Sequence, residues 1–436
     1  MDKIYAVQAF RGLAALMVVA FHGLSIQEKY LPGSMFLPQI FNLGQTGVDL
    51  FFVISGFVMV VVSQSKVYST GGVAAFLRNR MLRIYPTYWV YYFLLLVVFL
   101  SVPGIINSSQ GGEVDLVKSF FLVPNEKLPL LLVAWTLTHE LWFYIVFAGL
   151  LLLRNRMRLL GLGLWLAVII LASGWQFTSP LLRVAFHIFT VEFILGALLA
   201  YAYITLRSEK LGGIVAILGV AVATILLYFG FSEVAKGNVD VQSNISISRA
   251  IFLGGGFSIL VFSMAIFESL KWMSVTYPLR FMGDISYSVY LSHVLILSLL
   301  GRVWYALNAS GTVVWFHAAV FWIAAFVSVI IGGYLAFALI ERPLLKATLY
   351  RLKSRKKGDM ETKNKWCEWF GHNDKSLGPQ DYLYDNQNEG FVCKRCDHTH
   401  NVNAQSPPIP PPKIRKVIII AWILVVLGAV LYELSR

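Results

Sequence analysis

The chain has 436 residues, 57% of them hydrophobic and 14% charged, and it carries a formal net charge of +13. That apolar share excludes a soluble enzyme and requires repeated membrane spans. The positive charge reads as topology and attraction to anionic lipid headgroups, with no nucleic-acid partner expected.

Apolar runs of spanning length fall at 5–24, 46–63, 85–103, 131–153, 159–175, 181–204, 211–231, 248–268, 283–305 and 313–339, with a shorter one at 417–432. They predict an all-α, polytopic transmembrane helical bundle of ten core helices plus one C-terminal transmembrane helix. The expected segments are a transmembrane core at 1–345, a cytoplasmic basic linker at 346–416 and a final helix at 417–436. No cleavable leader is expected, because Arg11 interrupts the first run and no small-residue cleavage site follows it. With the amino terminus in the cytoplasm, the inner connections hold Arg78, Arg80, Arg83, Arg154, Arg156, Arg158, Arg207, Lys210, Lys271 and Arg280. This is the positive-inside pattern, and it puts the basic run Arg351 to Lys357 inside as well.

In the first run, Arg11 and His22 stand eleven residues apart, which turns an α-helix through about 1100° and leaves both on one face, roughly 16 Å apart. Such groups are costly in lipid and turn toward a bundle interior or a polar cavity. The plainer alternative is that Arg11 snorkels to the cytoplasmic interface. Next, Asp49 lies in GVDLFFVISGFVM, where Gly47 and Gly56 permit close packing; Asp49 serves either a site or a helix cap. The segment RNRMLRIYP sets Arg78, Arg80 and Arg83 ahead of Tyr85 and Pro86. These arginines are topological signals or a fork for the phosphates of a nucleotide-bearing donor.

The fourth helix contains WTLTHELWFY, with Thr136 one turn before Glu140 and Tyr144 one turn after it. His139 and Glu140 point about 100° apart, and Glu140 is the favoured site residue of the two. A buried carboxylate needs a partner, and Glu192 in FHIFTVEFILG carries the same requirement. The ninth helix opens with GDISYSVYLSH, which puts Ser286, Tyr290 and His293 along one face beside Asp284 and Tyr287. Such a stripe binds a ligand or glues helices together. Glu341 to Pro343 reads as the cytoplasmic stop of the tenth helix.

In this order, the Arg11–His22 spacing, GVDLFFVISGFVM, RNRMLRIYP, WTLTHELWFY, GDISYSVYLSH and ERP resemble the acyltransferase 3 family over about residues 5–345. These are integral membrane enzymes that O-acetylate bacterial lipopolysaccharide, exopolysaccharide, peptidoglycan and nodulation factors. The resemblance implies ten core helices in a bacterial inner membrane, acetyl-CoA as cytoplasmic donor and a saccharide hydroxyl as acceptor, on a lipid-linked or surface polysaccharide such as O-antigen. It maps the family's first-helix pair onto Arg11 and His22, its loop arginines onto Arg78 and Arg80, and its glutamate onto Glu140, with Thr136 standing where many members have serine. Moving an acyl group from a thioester to a hydroxyl requires a base and a holder for the oxyanion. His22 is therefore expected as general base, with Asp49 or Glu140 as its orienter. Arg11, Arg78, Arg80 and Arg83, with Tyr287 and His293, are expected to bind the donor. Direct transfer and an acyl-enzyme route both stay open.

The polar tail holds Cys367, His372, Cys393 and Cys396, a C-x4-H followed about twenty residues later by C-x2-C, ahead of PPIPPP. Tetrahedral zinc accepts such a set, with His398 and His400 as substitute ligands, and free thiols or a disulfide are the other readings. The tail resembles the zinc-knuckle tails of some bacteriophage proteins, which suits a prophage gene that modifies its host's O-antigen. A polytopic bundle with buried charge is also compatible with a transporter or flippase of a lipid-linked saccharide, although no internal repeat is evident.

Overall fold

The computed structural model describes residues 3–30, 36–63, 70–102, 106, 113–236, 247–307, 315–347, 382–385, 390–393 and 399–401. Among them, nine helices are long and apolar enough to cross a membrane, so the chain is a polytopic helical bundle. In chain order the helices are α1 (Tyr5–Tyr30), α2 (Gly47–Ser63), α3 (Thr70–Ser101), α4 (Leu116–Phe121), α5 (Trp135–Leu150), α6 (Asn155–Ala172) and α7 (Pro180–Ala185). They continue as α8 (Phe189–Leu206), α9 (Lys210–Ala235), α10 (Ile247–Arg249), α11 (Gly256–Ser269), α12 (Tyr277–Leu307) and α13 (Trp315–Ala336). The run expected at 159–175 forms α6, which is not among the nine. Its first turns carry Arg156 and Arg158, and the apolar stretch beyond them covers only about 21 Å of a hydrocarbon layer roughly 30 Å thick.

Met1–Glu341 belong to one compact unit, and the second contains the three described strands. Tyr382–Asp385, Gly390–Cys393 and Thr399–Asn401 make an antiparallel sheet in the order β1-β2-β3. Cys393 closes β2, whereas Cys367, His372 and Cys396 lie outside the described residues, as does the run at 417–432.

Helices in lipid gain nothing from leaving water, so close backbone approach and polar contacts hold them together. Helix α2 is apolar apart from Asp49, Ser55 and Ser63 and is buried over most of its surface, while α9 turns Leu211, Ile214, Ile217 and Leu218 outward. Two glycine crossings fix the frame. Gly56 of α2 faces the Phe193 carbonyl of α8, and Gly196 of α8 faces the Val53 carbonyl in return, so a β-carbon at either position overlaps backbone. Gly12 of α1 meets Met282, and Gly283 of α12 meets the Gln8 carbonyl. The free amide end of α1 is satisfied from α11, where the Glu268 carboxylate accepts Tyr5 N at 2.9 Å and Ala6 N at 2.6 Å.

A buried ion pair ties α2 to the segment before α11. Arg249 donates from Nε to Asp49 Oδ1 at 2.8 Å and from Nη2 to Oδ2 at 2.7 Å, a bidentate pair. The two side chains are 1% and 0% exposed. A π-helical turn, Ala250–Gly255, follows Arg249 directly. Removing one partner of a buried pair strands the other's charge at a cost of about 3–5 kcal/mol. Asp49→Ala should accordingly lower the melting temperature of the detergent-purified protein, and Asp49→Leu combined with Arg249→Met should recover most of the loss. A stable single variant would show that the pair does not hold the bundle.

Candidate active site

Helices α1, α2, α3, α5 and α12 surround a cavity of about 130 Å³. Its polar lining is Gln8 and Arg11 from α1, Ser55 from α2, Arg80 and Arg83 from α3, Thr136, Glu140 and Tyr144 from α5, and Tyr287 and Tyr290 from α12. The α1–α12 glycine crossing brings Arg11 and Tyr287 to the same space. Arg80 and Arg83 share a face of α3 because they are three residues apart. Arg78 lies about 200° around the helix from Arg80; it is exposed and absent from the lining. Of the three arginines expected to bind the donor, the lining thus holds Arg80 and Arg83.

Glu140 accepts two hydroxyls, from Ser55 Oγ at 3.2 Å and from Tyr144. The Arg80 guanidinium lies 5.9 Å from the Tyr144 ring centre and 5.7 Å from that of Phe76. Arg11 reaches Gln8 Oε1 at 3.4 Å. Beside the cavity, buried Glu341 accepts Ser288 Oγ at 2.5 Å and feels the charges of Arg11 and Arg83. Glu341 ends a second π-helical turn, Phe337–Glu341, and does more than stop a helix. Three guanidinium groups against one lining carboxylate make a concave, cationic site suited to an anion.

His139 turns away from Glu140 and is buried among Phe52, Trp135, Phe143, His187 and Phe189. Tyr287 lines the cavity with its ring but commits its hydroxyl to the Ile84 carbonyl at 3.0 Å, pinning α12 to α3. Thr136 Oγ1 and Tyr290 Oη lie 2.8 Å apart.

His22 is not in the lining. It is partly buried one layer beyond, with its Nδ1 3.1 Å from Nε2 of His293 and 3.0 Å from the Val18 carbonyl. The His293 ring is 5.7 Å from that of Tyr290, which links the histidine pair to the cavity wall. Neither expected orienter bonds to His22: Asp49 is held by Arg249, and Glu140 by Ser55 and Tyr144. His293, expected to bind the donor, is fully buried against His22 instead.

Sequence reasoning passed over Gln8, Ser55 and Arg249. Ser55 gave a usable signal as the small polar residue beside Gly56 in an apolar helix. Arg249 gave another, a lone cation heading an apolar run just as Asp49 heads α2.

Residues 4–338 match the model of a family described as an acyltransferase domain. The chain is also similar to the exopolysaccharide production protein ExoZ of Rhizobium meliloti (strain 1021), with 27% identity over 326 residues that cover 70% of this chain and 91% of that protein. No solved structure matches it.

The cavity's charge can be read with thiol reagents after Cys367, Cys393 and Cys396 are replaced by serine. An anionic methanethiosulfonate should modify Ser55→Cys at least about tenfold faster than a cationic one, since like-sized fields change encounter rates by about 10–10³. Val53→Cys, which packs against α8, should resist both. Equal rates at position 55 would contradict a cationic cavity.

Proposed function

Because the chain belongs to the acyltransferase 3 family, we propose that it is a membrane O-acyltransferase that carries an acetyl group from acetyl-CoA to a hydroxyl of a bacterial surface polysaccharide. The observation that carries this reading is the convergence of Arg11, Arg80 and Arg83 on one small buried cavity with Glu140. The name of the ExoZ relative supports a glycan acceptor, with exopolysaccharide and O-antigen as the two candidates. The proposed setting is the inner membrane with the amino terminus in the cytoplasm, which puts the arginines of α3 beside the pool of acyl-CoA.

The guanidinium groups bind the donor's phosphates at the cytoplasmic mouth. A volume of about 130 Å³ is below the roughly 300 Å³ at which pockets begin to enclose drug-sized ligands, so the nucleotide stays outside and the pantetheine arm enters. The thioester then reaches the wall formed by Thr136 and Tyr290, whose hydroxyls at rest bond to each other and to the Val133 carbonyl; one of them turns from that carbonyl to donate to the oxyanion. Transfer requires the acceptor hydroxyl to meet the thioester carbon where this wall opens toward His22: Nε2 of His22 takes the hydroxyl's proton as that oxygen attacks the carbon. The C–S bond breaks, the acetyl ester forms, and the departing thiolate takes the proton back from His22. Glu140 keeps one counter-charge among the three cations and orders Ser55 and Tyr144 around the arm.

Membranes supplied with radiolabelled acetyl-CoA and host polysaccharide test the reading. His22→Ala should lower transfer by about 10²–10⁴, the usual share of a general base. Arg80→Ala should raise KM for acetyl-CoA about tenfold or more, as loss of a charged hydrogen bond does. Arg78→Ala, an exposed change, should alter KM by less than about twofold. Saccharide flux without a gain of acetyl mass on the glycan would favour a flippase and sink the proposal.

A further inference from the structure

The cavity does not contain the imidazole that the chemistry needs, and a second imidazole stands behind it in a defined hydrogen-bonding order. Nδ1 of His293 lies 2.7 Å from the Tyr290 carbonyl and 3.2 Å from the Val289 carbonyl. Carbonyl oxygens only accept, so this nitrogen must carry a proton. In a neutral imidazole the other nitrogen, Nε2, is then an acceptor. It sits 3.1 Å from Nδ1 of His22. That nitrogen therefore donates, and the Val18 carbonyl at 3.0 Å shares the same proton. With Nδ1 of His22 protonated, its lone pair is on Nε2.

From this order we infer that His293 is a positioning residue that holds His22 in the Nδ1–H tautomer with Nε2 free as the base. The inference rests on the reading of His22 as general base. His293 suits the task because it is fully buried and its own tautomer is locked by backbone rather than by a titrating partner. The two rings are 4.9 Å apart and inclined by 60°, so the contact runs edge to edge through nitrogens and is not a stack. When Nε2 of His22 takes the acceptor's proton, the Nδ1–H bond to His293 strengthens and spreads the new charge. No covalent step involves His293. The device differs from a carboxylate-oriented histidine in bringing no ion into the membrane, where an unpaired carboxylate is expensive.

Gln is the informative replacement, since its amide oxygen reaches about as far as Nε2 and still accepts a hydrogen bond, whereas Leu fills similar space and cannot. The full-length protein in lipid nanodiscs, labelled with [15N]histidine, is compared as wild type, His22→Ala, His293→Leu and His293→Gln. In the wild type, the ring nitrogens of His22 should show Nδ1 protonated and Nε2 bare. His293→Leu should mix the tautomers and lower kcat about 10²-fold, with KM for acetyl-CoA unchanged within about twofold. His293→Gln should restore the Nδ1–H tautomer and recover most of kcat. The inference is overturned by an Nε2–H tautomer in the wild type, by a Leu variant with normal kcat, or by a Gln variant that keeps the tautomer yet is as slow as Leu. A fully active His22→Ala rejects something different, the base reading beneath the inference, and it does so whatever the tautomer spectrum shows.

Discussion

Hydrocarbon offers no water to a charge, so every ion inside this bundle has to bring a counterpart with it. That constraint arranges the interior. The guanidinium of Arg249 and the carboxylate of Asp49 hold each other with two parallel bonds, and a third arm of Arg249 reaches Gln45 Oε1 at 3.5 Å. Around the cavity the balance is deliberately incomplete: three arginines share Glu140 in the lining and Glu341 beside it. The surplus cation is the part of the structure that calls for an anionic guest. The histidine pair follows the same logic by avoiding ions altogether.

Division of labour follows from helix pairing. Helix α2 is locked to α8 by reciprocal glycines and to the α11 segment by the ion pair, which makes it a rigid post. Helix α1 crosses α12 at Gly12 and Gly283, and this crossing sets both Arg11 beside Tyr287 and His22 beside His293. One contact between two backbones thus registers the donor-binding end and the base at the same time. Helix α3 contributes its arginines from a third side, and Tyr287 pins it to α12. The Glu268 carboxylate closes the open end of α1, so the helix that carries both Arg11 and His22 is anchored where it begins.

Much of this was legible in the sequence because periodicity is local. The apolar runs gave the bundle and the 100° step separated Glu140 from His139, whereas the resemblance paired Arg80 with Arg78 although only the three-residue spacing to Arg83 keeps two arginines on one face. Ordered motifs supplied the family. What stayed hidden depends on helices far apart in the chain. Asp49 and Arg249 meet across 200 positions, and His22 and His293 across 271. No spacing rule within a helix reports such a meeting. Asp49, a candidate orienter of His22, is instead claimed by Arg249. The proline after Glu341 explains a helix end well enough, and the bond from Ser288 to Glu341 appears only when α12 and the π-helical turn lie side by side.

The two π-helical turns, Ala250–Gly255 and Phe337–Glu341, each adjoin a buried charge. A wide turn holds one residue more than an α-helical turn, which rotates everything beyond it by about 100°. Arg249 can therefore look toward Asp49 while Gly254 within the wide turn and Gly256 just beyond it still nestle against Glu192 of α8 and Leu227 of α9. A helix of uniform pitch would have to choose between those neighbours. The extra residue thus works as a gear change, letting one rod mesh with partners whose teeth are out of step.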